Sequence, residues 1–184
     1  MKYTKKMKAS LLEAAKNNDN GSCIITLTFG EYSYEDIPNA LINLKLFWNK
    51  VRKNQNCFFY KYFCGFIKEL IIEKQKDKNT YKLSYKIFAT IKESNKLNLS
   101  YIREKIRLYY FRVLLITKES SDFQVFIKPV IAETYINELD DYNFRFLLKD
   151  TDEEFYNLIY NKKLISFHGI YHIGFSKLRK KRGK

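Results

Sequence analysis

Proline and glycine are scarce in this chain, at 2 and 6 of 184 residues. That excludes a collagen-like architecture and leaves little room for low-complexity linkers. Cysteine occurs three times, at Cys23, Cys57 and Cys64, an odd number with no C-x-x-C pair. A disulfide framework and a cysteine-paired zinc site are thereby disfavoured, and buried thiols are expected. Histidine is limited to His168 and His172. Their i, i+4 spacing would suit a metal on a helix, but Gly169 and Gly174 point to extended structure there. No apolar run reaches the roughly 20 residues of a membrane span. After Met1-Lys2-Tyr3-Thr4-Lys5-Lys6 comes an amphipathic stretch and not the apolar core of a secretory signal. A cytoplasmic protein without membrane attachment is the expectation. The chain also has no glycine-rich phosphate loop and no Ser/His/Asp or Cys/His order.

What is present is apolar bulk and positive charge. Hydrophobic residues make up 46% of the chain and aromatic residues 17%. That is enough for one domain with a sizeable core, and it argues against disorder. Lys and Arg number 34 against 20 Asp and Glu, a formal net charge of +14. Such an excess favours a polyanion as partner.

The periodicities give an element order. Cys23 to Phe29 alternates and is rich in β-branched residues, which predicts a strand. Ile37, Ala40, Leu41, Leu44, Trp48 and Val51 follow at helical spacing, with Ser33 or Asp36 as cap and Pro38 in the first turn. Phe63 to Ile72 predicts a long strand with a bulge at Gly65. Lys74 to Thr80 is polar and reads as a hairpin loop into a partner strand, Tyr81 to Ile91. Alternation puts Lys82, Ser84, Lys86 and Phe88 on one face of that strand, and Leu83, Tyr85, Ile87 and Ala89 on the other. Ser100 to Thr117 predicts a second helix, and Phe123 to Lys128 a strand stopped by Pro129. Residues 130–160 read as mostly helical, and Lys163 to Phe167 as a last short strand. The order β-α-β-β-α-β is the ferredoxin-like plan of an α+β protein. It predicts an antiparallel sheet with helices on one face and the other face free for a ligand. Residues 1–21 read as a basic extension, 22–174 as a single domain with helical C-terminal additions, and 175–184 as a basic tail.

Four segments resemble the rolling-circle replication initiators (Rep proteins) of small Gram-positive plasmids, in the HUH endonuclease group. Cys23-Ile24-Ile25-Thr26-Leu27-Thr28 is similar to that family's F-L-T-L-T strand. Tyr81 to Phe88 lies where the family has Y-H-P-H-F-H-V-L, its metal motif. Phe144 to Asp152 resembles A-K-Y-x-V-K-D-[ST]-D around the catalytic tyrosine. Lys163 to Tyr171 resembles the closing R-L-I-S-F-G-G-L-F. The segments occur in the family's order.

The departures fall on the chemistry. At the metal-binding histidine positions stand Lys82, Ser84 and Lys86. An ammonium is a donor only and cannot ligate a cation at neutral pH, although it can contact phosphate. The family's ligand-bearing glutamate aligns near Ile71, with Glu69 and Glu73 two residues to either side. The nucleophile position holds Phe146, which has no hydroxyl to attack phosphorus. The resemblance therefore implies a catalytically inactive DNA-binding relative, with no metal and no cofactor. Its expected DNA contacts are Lys82, Lys86, Arg145, Lys149, Lys177, Arg179, Lys180, Lys181 and Arg182. The expected partner is single-stranded, hairpin or origin DNA, with an active initiator or other replication factors beside it. Two other readings stay open. One is a divergent nickase that uses Tyr142, with metal held by Glu69 or Glu73. The other is an RNA-binding or protein-interaction module.

Overall fold

The structure, a computed structural model, describes residues 5–17, 21–53, 58–75, 79–92, 98–114, 122–139 and 165–171. Ten elements are formed by these residues, in the order α1 (Lys5–Lys16), β1 (Ser22–Tyr32), α2 (Ile37–Lys53), α3 (Phe58–Tyr62), β2 (Phe63–Lys74), β3 (Tyr81–Ile91), α4 (Leu99–Leu114), β4 (Gln124–Val130), α5 (Ala132–Glu138) and β5 (Ile165–Gly169). The strands make one five-stranded antiparallel sheet in the order β4-β1-β3-β2-β5. The protein is thus α+β, and its first four strands are compatible with the expected ferredoxin-like arrangement. β3 lies between β1 and β2, so α2 crosses over it. In the same way β1 lies between β3 and β4, so α4 crosses over β1.

Local chemistry sets the ends of these elements. Before α2, the Ser33 hydroxyl donates to Asp36 Oδ2 at 2.6 Å and accepts the Asp36 N–H at 3.3 Å. The Asp36 carbonyl then accepts the Ala40 N–H at 3.0 Å, the first helical bond. Asn98 caps α4, its Oδ1 accepting the Tyr101 N–H at 3.1 Å and its carbonyl the Ile102 N–H at 3.1 Å. The β2–β3 register shifts between Phe63 and Gly65, at the expected bulge. Gly65 then pairs with Gly169 of β5. A Cβ on Gly169, whose φ is +60°, would come within 2.8 Å of Gly65 Cα, so the strands meet there only because both residues lack side chains.

The strand alternation sorts side chains onto two faces. Cys23, Ile25, Leu27 and Phe29 of β1 join Leu83, Tyr85, Ile87 and Ala89 of β3 beneath α2 and α4, in one buried cluster. Phe29 is central there, with its ring 5.2 Å from Tyr85, 5.6 Å from Tyr110, 5.4 Å from Phe123 and 6.4 Å from Phe47. Each such aromatic side chain contributes about 1.5–3 kcal/mol by leaving water. Trp48 and Phe47 belong to this core, as their helical spacing predicts. Burial pushes the Cys23 thiol up to about 12, which leaves it inert.

The structure corrects four expectations. First, the second sheet face is not free. α1 and α5 pack on part of it, burying Leu11, Ala15, Ile24, Ile67, Phe88, Tyr135, Ile136 and Tyr171 in a second cluster. The N-terminal stretch therefore contributes a core-forming helix, with Lys8 Nζ donating to the Asn137 carbonyl at 2.6 Å. Second, Pro129 does not stop its strand. It pairs with Cys23, inside β4. Because β4 is a sheet edge, the missing N–H can lie on the outward side, where no ladder bond is lost. Third, β1 continues through Gly30, at φ +126° and a register shift, to Tyr32, beyond the expected end at Phe29. Fourth, the short helix α3 precedes β2 where only apolar character was legible.

Candidate nucleic-acid interface

The polar part of the second face is built by cross-strand register. Lys86 of β3 lies opposite Thr26 of β1 and Glu69 of β2. Thr26 in turn lies opposite Phe126 of β4, so one row runs Phe126, Thr26, Lys86, Glu69. The next row runs Gln124, Thr28, Ser84, Ile71, and beyond the Gly30 bulge a third runs Glu31, Lys82, Glu73. Lys82 and Lys86 share this face, as alternation predicts, and both are half-buried. Ser84 and Thr28 between them are buried. Each lysine has glutamate as a cross-strand neighbour, an arrangement worth roughly 0.2–1 kcal/mol per pair. Glu31 and Glu73 flank Lys82 and Glu69 stands beside Lys86, so the glutamates of these rows outnumber the lysines and the positive excess of the chain lies elsewhere.

Glu69 is the perturbed carboxyl among the described residues of the face. It is buried, and the Tyr135 hydroxyl of α5 donates to its Oε1. Burial raises its carboxyl above the usual range, opposed by the Tyr135 hydrogen bond and the Lys86 charge. Tyr135 itself stacks on Phe88, with centroids 4.5 Å apart, and the Lys86 ammonium lies 5.2 Å from the Tyr135 ring. α5 is thereby pinned to the sheet by an aromatic stack, a hydrogen bond and a cation–π contact. One oxygen of this carboxyl, Oε1, is thus already engaged by Tyr135. Among the described residues, no three His, Cys, Asp or Glu side chains converge as a metal site.

Sequence reasoning missed three features of this region. Tyr135 carries no distinguishing motif along the chain, yet it is buried and bonded to Glu69. Its role depends on a contact between residues 66 positions apart. Phe126 is 59% exposed, although alternation alone gives no reason for an apolar side chain to face water. Lys68 reverses that pattern. It points to the helix-covered face and is buried, with its ammonium 3.9 Å from the Tyr85 ring centroid and 4.7 Å from that of Trp48. Alternation between Phe66 and Leu70 was the available signal for its inward direction.

His168 is a packing residue in β5. It stacks on Phe66 at 4.6 Å and bonds Ser166 Oγ through Nε2 at 3.0 Å. Of the expected DNA contacts, the structure describes Lys82 and Lys86. Arg145, Lys149, Lys177, Arg179, Lys180, Lys181 and Arg182 lie outside the described residues, as do Phe146, Tyr142, Cys57 and His172. No helix among the described residues is long and apolar enough to cross a membrane. No family model, curated protein or solved structure matches the chain.

Proposed function

We propose that this protein is a DNA-binding relative of the rolling-circle replication initiators that holds DNA without cutting it. The ferredoxin-like, HUH endonuclease-like plan is supported by the strand order β4-β1-β3-β2 and by the two helical crossovers. The observation that carries the functional reading is the common facing of Lys82, Ser84 and Lys86 across the β3 strand. In the resembling family these positions hold a cation. Two ammonium groups there repel a divalent ion and attract phosphate. The net charge of +14 supplies the long-range attraction.

On this reading the ligand is single-stranded, hairpin or origin DNA. The setting is replication or its control in the cytoplasm, beside an active initiator or other replication factors. The second reading is a nickase that uses Tyr142 with metal at Glu69 or Glu73. It is less well supported because one oxygen of Glu69 already accepts from Tyr135 and, among the described residues, no three His, Cys, Asp or Glu side chains converge on either glutamate. The test is a labelled-oligonucleotide assay with Mn²⁺ or Mg²⁺, each reaction split between native and denaturing gels. The expected result is a native shift with neither cleavage nor a denaturant-resistant adduct. Cleavage or an adduct would show that a nucleophile survives. Unchanged affinity after joint neutralisation of Lys82, Lys86 and the tail lysines would remove the proposed surface.

A further inference from the structure

We propose that Phe126 is a base-stacking platform, and that the DNA bound beside it is single-stranded. This inference rests on the DNA-binding reading and adds to it a residue that the sequence did not single out. Among the described side chains, Phe126 is the one exposed phenylalanine, at 59% exposure, whereas Phe29, Phe47, Phe59, Phe66, Phe88 and Phe123 are buried. The ring therefore forgoes the burial that the fold gives to its other phenylalanines.

Its surroundings are suited to a nucleotide. Gln124 and Lys128, two residues to either side on β4, share its face and are exposed. Thr26 is its cross-strand partner, and Lys86 stands one strand further on. At about 4.8 Å per strand, Lys86 lies roughly 10 Å from Phe126 across the sheet. An aromatic face thus has two lysines as neighbours, Lys128 along the strand and Lys86 across it, the latter with its ammonium 5.2 Å from the Tyr135 ring. Such a group stacks on a base while the cations hold the phosphates on either side. Paired bases already stack on their neighbours within a duplex, so an unpaired base is the one free to take the ring. β4 is the edge of the sheet, and Phe126 is exposed there. A second copy of this chain is the other natural occupant of an exposed edge. The charge of +14 on each copy opposes it.

The test compares a fluorescent oligothymidylate with an abasic deoxyribose-phosphate oligomer of the same length, titrated over a series of salt concentrations. Wild-type protein is expected to prefer the oligothymidylate. Phe126→Ala and Phe126→Leu are expected to weaken oligothymidylate binding about 5- to 150-fold, with the abasic oligomer and the salt slope unaffected. Phe126→Trp is expected to restore it. Leu keeps the apolar bulk without the π face, so a folding defect is separated from lost stacking, and thermal melts of all three variants check this. Lys86→Ala and Lys128→Ala are expected to weaken both oligomers and to lower the salt slope. If Phe126→Leu binds oligothymidylate like wild type, or loses both oligomers equally, the stacking role is overturned. A shift of the free protein from dimer to monomer in Phe126→Ala, seen by sedimentation, would assign the ring to a second copy instead. Wild-type protein that binds no oligonucleotide would refute the DNA-binding reading itself. Wild-type binding that Phe126 variants leave intact would refute only this inference.

Discussion

The two faces of the sheet obey opposite rules. Beneath α2 and α4 the inward residues are mostly apolar, and one exception, Lys68, is enclosed by the rings of Trp48 and Tyr85. On the other face apolar residues gather under α1 and α5, and the adjoining rows carry Thr26, Lys86, Glu69, Glu31, Lys82 and Glu73. The first face is organised by burial and is intolerant of lost volume. The second is organised by charge pairing and hydrogen bonds, and tolerates substitution wherever no polar group is left stranded. Stability is therefore expected to reside in the first face and ligand binding in the second.

The largest effect that would separate the faces is Phe47→Ala. Phe47 is fully buried and meets the rings of Phe29, Trp48, Tyr109 and Tyr110. Its truncation is expected to cost about 3–5 kcal/mol in urea unfolding, through lost transfer energy and the cavity left behind. A cost below that of a surface substitution would mean that the helix-covered face is not the stabilising one.

Tyr135→Phe probes the boundary between the faces, since it keeps the stack on Phe88 but removes the donor to Glu69. About 1–3 kcal/mol should be lost, because a buried carboxyl is left without its partner. The same pair predicts a pH dependence. Glu69 has a folded pKa raised above the ordinary 4.5, so the unfolded state loses its proton first as pH rises. Its contribution is fully present below that value and is lost as pH rises through the folded pKa. Glu69→Gln, which keeps an acceptor for Tyr135, should flatten this segment of the stability–pH curve. An unaltered slope would show that another group titrates there.

The smallest stability effect is expected on the second face. Joint Lys82→Ala and Lys86→Ala substitution should cost about 0.5–1.5 kcal/mol of unfolding free energy in all, mostly through the Lys86 contacts with Glu69 and Tyr135. It should nevertheless lower the salt slope of DNA binding by about 1–2. The comparison sharpens if stability holds while binding falls, and it breaks if the two fall together.

Much of the architecture is legible along the chain, because a strand's alternation and a helix's 3.6-residue period are local signals. β1, α2, the bulge at Gly65, α4 and the two-sidedness of β3 follow in this way. The positions of Lys82 and Lys86 on one face were legible for the same reason. Tyr135 was not, since its hydroxyl finds Glu69 only after α5 folds back on β2. Phe126 was not, since its exposure depends on β4 being a sheet edge and on α1 and α5 covering other ground. Pro129 misled because its cost depends on whether its nitrogen faces a neighbour or open edge, and strand order decides that.

The sequence by itself determined the composition of the two faces, the net positive charge of the chain, and the placing of Lys82, Ser84 and Lys86 on one face of β3. Each is a property of residue type and of spacing within a single element. Tertiary structure alone decided which part of the second face α1 and α5 would cover. It also decided that Glu69 would be buried against Tyr135, and that Phe126 would stand in water beside Lys128. Those outcomes depend on contacts between distant segments, whose free energy is fixed only once the sheet order and the helix docking are set.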